Sequence, residues 1–350
     1  MDLGASAGNL RDKLRGGVAD LRRMPRDPVA AVPTGTLYRY RPIPDTPPAA
    51  GPPVLLVPPL GAPDFAYDLR RGCSLVEHLL TGGRAVYLVA YGRVAFAERR
   101  LGIEHWVDDV VPAGMRATAA DADADRVHLL GWSMAGIFCA LAVAAAAQAG
   151  DPLPARTLTM IGSPVDFAAV PLVAPLRPLT ALVGRRALSA LYRAIRSIPA
   201  PLVRAAFQAT AIDRLLTKPL TLLTRLDDRD RLAQIEAVDH LMANIHGYPG
   251  RVFAQIFHLL LRDNALAEGR LALAGRTIPL AAVDVPVLVI AGRHDVVAPL
   301  AAVQPVTGLL PGAPEVRFET APGGHLGVFT GRRAGTTTWA HLGAFLDAHR

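Results

Sequence analysis

The sequence predicts an α/β fold, a mainly parallel sheet with helices on both faces, and three observations carry that prediction. Short runs of consecutive apolar residues recur along the 350-residue chain, at Val54–Val57, Ala85–Ala90, Val127–Leu130 and Val287–Ala291. Strands buried on both faces read in this way, and parallel sheets supply such burial. Longer segments of helical character separate these runs, the Ala-rich stretch Met134–Gln148 being the clearest. Finally, 51% of the residues are hydrophobic, enough at this length for one large core.

From the start of the chain, residues 1–34 read as a basic amphipathic segment. Leu10, Leu14, Val18 and Leu21 have the spacing of one helix face, with Arg11, Lys13, Arg15, Arg22 and Arg23 around them. Such a helix lies on a lipid surface, docks on a partner or packs on its own domain, and the residues leave all three open. Charges run through this stretch without an apolar core, so it is not read as a secretory signal. Gly35–Arg41 alternates like an edge strand, and Pro42–Pro53 is a Pro-rich connector. Pro53–Val57 is a strand running into the turn Pro58-Pro59-Leu60-Gly61, residues 68–80 a helix, and Ala85–Ala90 a further strand. Ile103–Ala117 reads as a helix whose later part Pro112 and Gly114 disturb.

The stretch Arg126–Gly136 organises the rest. A strand, Val127–Leu130, meets the helix Met134–Gln148 at Gly131-Trp132-Ser133-Met134-Ala135, close to the nucleophile-elbow pattern G-x-S-x-G. Ala135 occupies the second small position and Gly136 follows it. Ser133 as a mere helix N-cap explains the pentapeptide by itself. It does not explain what comes later. The strand Pro286–Ala291 ends in a turn carrying Asp295, and the strand Val316–Glu319 is followed by Pro322-Gly323-Gly324-His325. Nucleophile, acid and histidine in that order, each after a strand, is the arrangement of the α/β-hydrolase fold. Ser133, Asp295 and His325 are therefore the candidate triad. The backbone N–H of Met134, with that of Leu60 or Gly61, is the candidate oxyanion hole.

Between elbow and acid lie too many residues for a simple crossover. Leu188–Ile195, Leu202–Ala209, Arg231–Asn244 and Arg251–Leu261 read as helices separated by Pro and Gly, hence as a helical cap. The expected organisation is a segment 1–34 and one domain 35–350, with the cap inserted at about 165–283.

Composition narrows the function classes. The net charge of +7 rests on Arg, since Lys13 and Lys218 are the only lysines, and no stacking or zinc motif accompanies it. Nucleic acid is not an expected partner. No metal or nucleotide cofactor is expected either: His240, His246 and His258 lack ligand spacing, Asp121, Asp123 and Asp125 lack a calcium-loop pattern, and no Gly-rich phosphate loop follows a strand. His128 reads as a packed strand residue and His294 as a loop neighbour of Asp295. Cys73 and Cys139, both placed in helices, suggest a reduced, cytoplasmic protein, and Cys139, six residues beyond Ser133 in an apolar helix, reads as a buried, inert thiol and a poor rival nucleophile.

The chain also resembles a known family. Pro53–Pro59 with Asp68-Leu69-Arg70, Ser74–Leu79, Glu104–Asp109, the elbow, Gly162–Phe167, Phe253–Gly269, the Asp295 turn and Gly323–Val328 together resemble polyhydroxyalkanoate synthases, above all the short class III catalytic subunit. The likeness spans about residues 35–348. It implies a catalyst working on an acyl-CoA as substrate, a homodimer through the cap, and an accessory subunit or polyester granule surface as partner. In that family the elbow nucleophile is Cys, where this chain has Ser133, and Ala135 stands where the family has Gly. A serine acyl-enzyme is an oxyester, no more reactive than the polymer it would extend, so hydrolysis of an ester or thioester of hydroxyacyl type is the expected reaction. Polymerisation of a 3-hydroxyacyl-CoA is the alternative, and a non-catalytic lipid- or polyester-surface protein a further one.

Overall fold

The computed structural model describes residues 2–92, 96–171, 197–209 and 224–350. Among the described residues there are twelve strands: β1 (Arg26–Val32), β2 (Gly35–Tyr40), β3 (Val54–Val57), β4 (Val86–Ala90), β5 (Val127–Trp132), β6 (Ala155–Ile161), β7 (Ser197–Ile198), β8 (Tyr248–Pro249), β9 (Arg270–Leu273), β10 (Arg276–Pro279), β11 (Val287–Gly292) and β12 (Val316–Ala321). The main helices, numbered in chain order, are α1 (Leu3–Arg15), α2 (Leu75–Thr81), α3 (Val111–Asp121), α4 (Met134–Gln148), α5 (Ala200–Ala209), α6 (Arg229–Ala243), α7 (Gly250–Gln255) and α8 (Thr338–Ala348).

Eight strands form one sheet in the order β1-β2-β4-β3-β5-β6-β11-β12. From β4 to β12 every neighbour is parallel, and β1 and β2 close one side as an antiparallel hairpin. The interior strands are apolar because both faces are covered: all six residues of β5 and all six of β11 are buried. Helix α4 obeys the same logic. It is buried without interruption from Ala135 to Ala145, so an apolar sequence all round the helix is what its position requires.

Several local expectations differ from the structure. Gly35–Tyr40 is not an edge, because β1 pairs outside it; the segment expected to stand apart through residue 34 joins the sheet from Arg26 onward. Helix α2 starts at Leu75 rather than at 68, since Ser74 caps it by accepting the Glu77 amide and Gly72, at φ 71°, breaks the chain just before. Cys73 therefore lies outside the helix, its Sγ donating to the Thr330 carbonyl at 2.8 Å. The helix expected at Ile103–Ala117 runs as a π-helical turn, His105–Val110, into α3. Pro112 explains the wide turn, because it has no N–H to give and its ring crowds the carbonyl four residues back.

Within the insertion, α5, α6 and α7 fall close to three expected helices, and α7 continues into a π-helical turn, Ile256–Arg262. The helix expected at Leu188–Ile195 lies outside the described residues. The end of the insertion is not helical: β9 and β10 form a hairpin through Ala274 and Gly275, both at positive φ, and the Gln148 side chain of α4 donates to its Thr277 carbonyl at 3.2 Å. Helix α6 rests on the body of the domain. Leu232, Ala237 and Leu241 are buried, Gln234 donates to the Thr330 carbonyl at 2.9 Å, and Arg70 pairs with Asp230 at 2.7 Å.

Candidate active site

One residue separates β5 from α4, and the chain must reverse within it. Ser133 does so at φ 57° and ψ −129°, a region that side chains other than Gly avoid. Its amide donates to the Ile161 carbonyl of β6 at 2.8 Å, which fixes the strained peptide to the neighbouring strand. The steric demands of the turn fall on two glycines. A Cβ on Gly131 would lie 2.5 Å from the Gly136 nitrogen, and a Cβ on Gly136 would lie 2.1 Å from Ser163 Oγ. Ala135, the departure from the elbow pattern, is an ordinary buried residue of α4. The position that must lack a side chain is the next one.

Asp295 sits in the turn after β11 and His325 in the turn after β12, and these strands pair in parallel up to Gly292 opposite Ala321. The register brings both turns to the end of the sheet where Ser133 lies. His325 Nε2 is 2.9 Å from Ser133 Oγ, and His325 Nδ1 is 2.8 Å from Asp295 Oδ2. The other carboxylate oxygen, Oδ1, accepts the amides of Val297 and Ala298, each at 2.8 Å. Asp295 is thus a buried carboxylate whose Oδ1 is filled by two amides, and its Oδ2, facing Nδ1 of His325, favours a proton on that nitrogen. The imidazole then presents a bare Nε2 to the Ser133 hydroxyl. Gly323, at φ 121°, lets the turn close: a Cβ there would come within 2.7 Å of the Gly327 backbone.

Two neighbours of this chain of hydrogen bonds are not evident from the sequence. Trp132, read only as the variable residue of the elbow, donates from its indole Nε1 to the His325 carbonyl at 3.1 Å. Its ring lies 5.2 Å from the imidazole and 4.7 Å from Phe329. Gly162, at φ 55°, faces the His325–Asp295 pair, both 3.5 Å from where its Cβ would be. A Gly one residue beyond a strand next to the elbow strand was the available signal for the second.

Strand β3 pairs with β5 up to Val57 opposite Gly131, so the Pro58–Gly61 turn emerges beside the elbow. The turn is clamped. Tyr67 donates to the Val57 carbonyl at 2.8 Å, Tyr91 to the Pro58 carbonyl, and the His246 amide to the Gly61 carbonyl at 2.8 Å. The Ala62 amide is consumed by the Pro59 carbonyl at 3.1 Å. The amides of Leu60 and Gly61 have no acceptor among the described residues. The Met134 amide opens α4, where intrahelical acceptors do not yet exist. The three amides expected as oxyanion donors thus lie at the sheet end that carries Ser133, without acceptors among the described residues.

The remaining titratable candidates lie elsewhere. His294 is exposed, and its amide donates to the Gly323 carbonyl at 3.0 Å. His128 is buried with Nδ1 2.9 Å from Thr157 Oγ1, and burial, reinforced by Arg84 and Arg156, pushes it down to about 3. Asp121 is bound by Arg39 and by the Tyr87 hydroxyl. Among the described residues no group of three His, Cys, Asp or Glu could hold a metal ion. No helix among them is long and apolar enough to cross a membrane.

Comparison with solved structures fits this geometry. The protein Rv0554 of Mycobacterium tuberculosis aligns with a TM-score of 0.53 over 93% of this chain and all of its own, at 15% identity. The non-heme bromoperoxidase BpoC of the same organism gives 0.51 over 91% and 98%, at 17% identity. A monoacylglycerol lipase of Paleococcus ferrophilus gives 0.50 over 90% and 99%, at 16%. The fold is that of the α/β-hydrolases. No family model matches the chain. Among curated proteins, the poly(3-hydroxyalkanoate) polymerase subunit PhaC of Allochromatium vinosum is 25% identical over 312 residues, covering 89% of this chain and 85% of its own. The subunit of the same name from Cupriavidus necator is 26% identical over 304 residues, 83% of this chain and 48% of its own. The resemblance to polyhydroxyalkanoate polymerases thus extends over most of this α/β-hydrolase chain, an enzyme of hydrolase or acyltransferase type.

Proposed function

We propose that the chain is a serine-dependent acyl-transfer enzyme that hydrolyses an ester or thioester of hydroxyacyl type. The observation carrying this reading is the continuous pair of contacts from Ser133 Oγ to His325 Nε2 at 2.9 Å and from His325 Nδ1 to Asp295 Oδ2 at 2.8 Å. Ser133 Oγ attacks the carbonyl carbon while its proton passes to His325 Nε2. The oxygen that gains charge is met by the Met134 amide and by that of Leu60 or Gly61. On collapse the C–S or C–O bond breaks, and the thiol or alcohol leaves with the proton from His325. Water then repeats the sequence on the acyl-serine and releases the free acid. Asp295 holds the imidazole in one tautomer and faces the imidazolium when it forms.

The choice of water as second acceptor rests on Ser133. Passing an acyl group from CoA to serine discards the thioester's activation, so the acyl-serine has no driving force to extend an ester chain. The curated relatives bear polymerase names, and they support a second reading, transfer to a hydroxyl acceptor, which is close to neutral from an oxyester. An acyl-CoA is then substrate, not cofactor, and a homodimer through the cap, an accessory subunit and a polyester granule surface are the partners to be sought, in a cytoplasmic setting.

One assay separates the readings: CoA release from 3-hydroxybutyryl-CoA by the protein and by Ser133→Ala, with the acyl product identified. Free hydroxy acid that vanishes in the variant supports hydrolysis. Oligomeric ester supports the polymerase reading, and release that survives Ser133→Ala removes the serine mechanism.

A further inference from the structure

Helix α1 is packed with its polar side inward. Ser6 and Asn9 are buried, at 7% and 6% exposure, whereas Leu10 and Leu14 are 44% and 81% exposed. The inward contacts are specific. Asn9 donates to the Leu226 carbonyl at 2.7 Å, Arg229 reaches Asp12 at 2.7 Å, and beyond the helix the Val18 amide donates to Glu236 at 2.9 Å. The outward side carries two adjoining rows, Ala7-Leu10-Leu14 and Arg11-Arg15, and all five residues are exposed. Neither arginine has an ion-pair partner among the described residues. Leu10 and Leu14 are also two of the four large apolar side chains left exposed among those residues.

A helix docked only for its own stability would be turned the other way, with the leucines inside and the Asn and Asp in water. Here the polar side is tied down by directed bonds, and the apolar row with its arginines is kept for something else. We propose that this face docks the protein flat on an anionic lipid bilayer, Leu10 and Leu14 entering the headgroup–acyl boundary and Arg11 and Arg15 meeting lipid phosphates. Charge selects this occupant. A second copy of the chain would set arginine against arginine, whereas an anionic bilayer offers an apolar layer and negative charge within one side chain's reach. The attachment is peripheral and independent of the chemistry at Ser133.

The test is co-sedimentation of the full chain with vesicles of phosphatidylcholine, alone or with phosphatidylglycerol added. The chain should pellet about tenfold better with the anionic vesicles, and high salt should remove the difference. Leu10→Ser with Leu14→Ser, both exposed and so harmless to folding, should lower binding about tenfold or more, with soluble turnover unchanged. Arg11→Ala with Arg15→Ala should abolish the preference for anionic lipid. Failure of the parent chain to pellet, or pelleting of the leucine variant like the parent, overturns the proposal. So does a dimer in light scattering that the leucine variant converts to monomer, because the face would then be covered by a second copy.

Discussion

Ser133 is held at φ 57° and ψ −129°, and this makes its replacement by glycine a quantitative test of the elbow. Ordinarily glycine is less stable than alanine at a structured position by about 0.5–1 kcal/mol, because the unfolded chain gains freedom. At a backbone region reserved for glycine the folded state carries about 1–3 kcal/mol of strain that any Cβ retains. Ser133→Ala and Ser133→Gly both lose the hydrogen bond to His325, so that contribution cancels in the comparison. Subtracting the unfolded-state term from the strain leaves Ser133→Gly more stable than Ser133→Ala by about 1 kcal/mol, with a range of roughly 0 to 2.5. Urea unfolding of the two variants, followed by fluorescence and circular dichroism to check that the transitions coincide, gives the difference directly. An alanine variant more stable than the glycine variant by about 0.5 kcal/mol or more would show an unstrained turn, and the elbow reading would fail.

Three further outcomes are expected. Gly136→Ala, whose Cβ would meet Ser163 Oγ at 2.1 Å, should cost about 1–3 kcal/mol, and Ser163→Ala in the same chain should recover part of it; simple additivity of the two in denaturant melts would contradict the contact. Asp295→Asn should lower kcat by roughly 10⁴ with little change in KM, since the amide would turn a donor toward His325 and favour the wrong tautomer; steady-state kinetics decide. His128, pushed down to about 3 in the folded chain, protonates first in the unfolded chain as pH falls below about 6.5. Stability should therefore be complete above that pH and decline by about 2 kcal/mol between pH 6.5 and 5. His128→Gln should flatten this slope in melts across that window.

The parts of the fold that could be read from the sequence are those where a single physical demand dominates. The interior strands and α4 are buried on all sides, so composition alone marks them, and the expected bounds Met134–Gln148 coincide with the helix. Ser133, Asp295 and His325 were legible through their order and their positions after strands. Elsewhere two demands compete. Strand β1 has only one fully buried residue, Val32, and its hairpin partner hides it from an apolar pattern. The β9–β10 hairpin is four residues on each side around Ala274-Gly275, too short for periodicity to register. Trp132 could not be connected to His325, because a contact across 193 positions is set by strand register and not by local pattern. A helix was legible near the start of the chain, but the apolar face read there, Leu10, Leu14, Val18 and Leu21, runs past its end at Arg15, with Val18 buried beyond it, and which side would face the domain depended on bonds from Leu226 and Arg229, far along the chain.

The chain has two cysteines, and both are withdrawn from solution chemistry: Cys139 lies fully buried in α4, where burial raises its thiol far beyond the ordinary range, and the Cys73 thiol is pushed up to about 11. A thiol-specific reagent should therefore leave the folded protein untouched. This silence makes Ser133→Cys an unusually clean graft. The new sulfur would be the single thiol beside a histidine, so the stoichiometry of alkylation would count competent elbows. On the proposed serine mechanism, the same graft would replace an oxyester acyl-enzyme by a thioester, the linkage that the resemblance to polyhydroxyalkanoate synthases implies for a Cys elbow. Whether product then shifts from free acid to ester chains would show how much of the divergence resides in one atom.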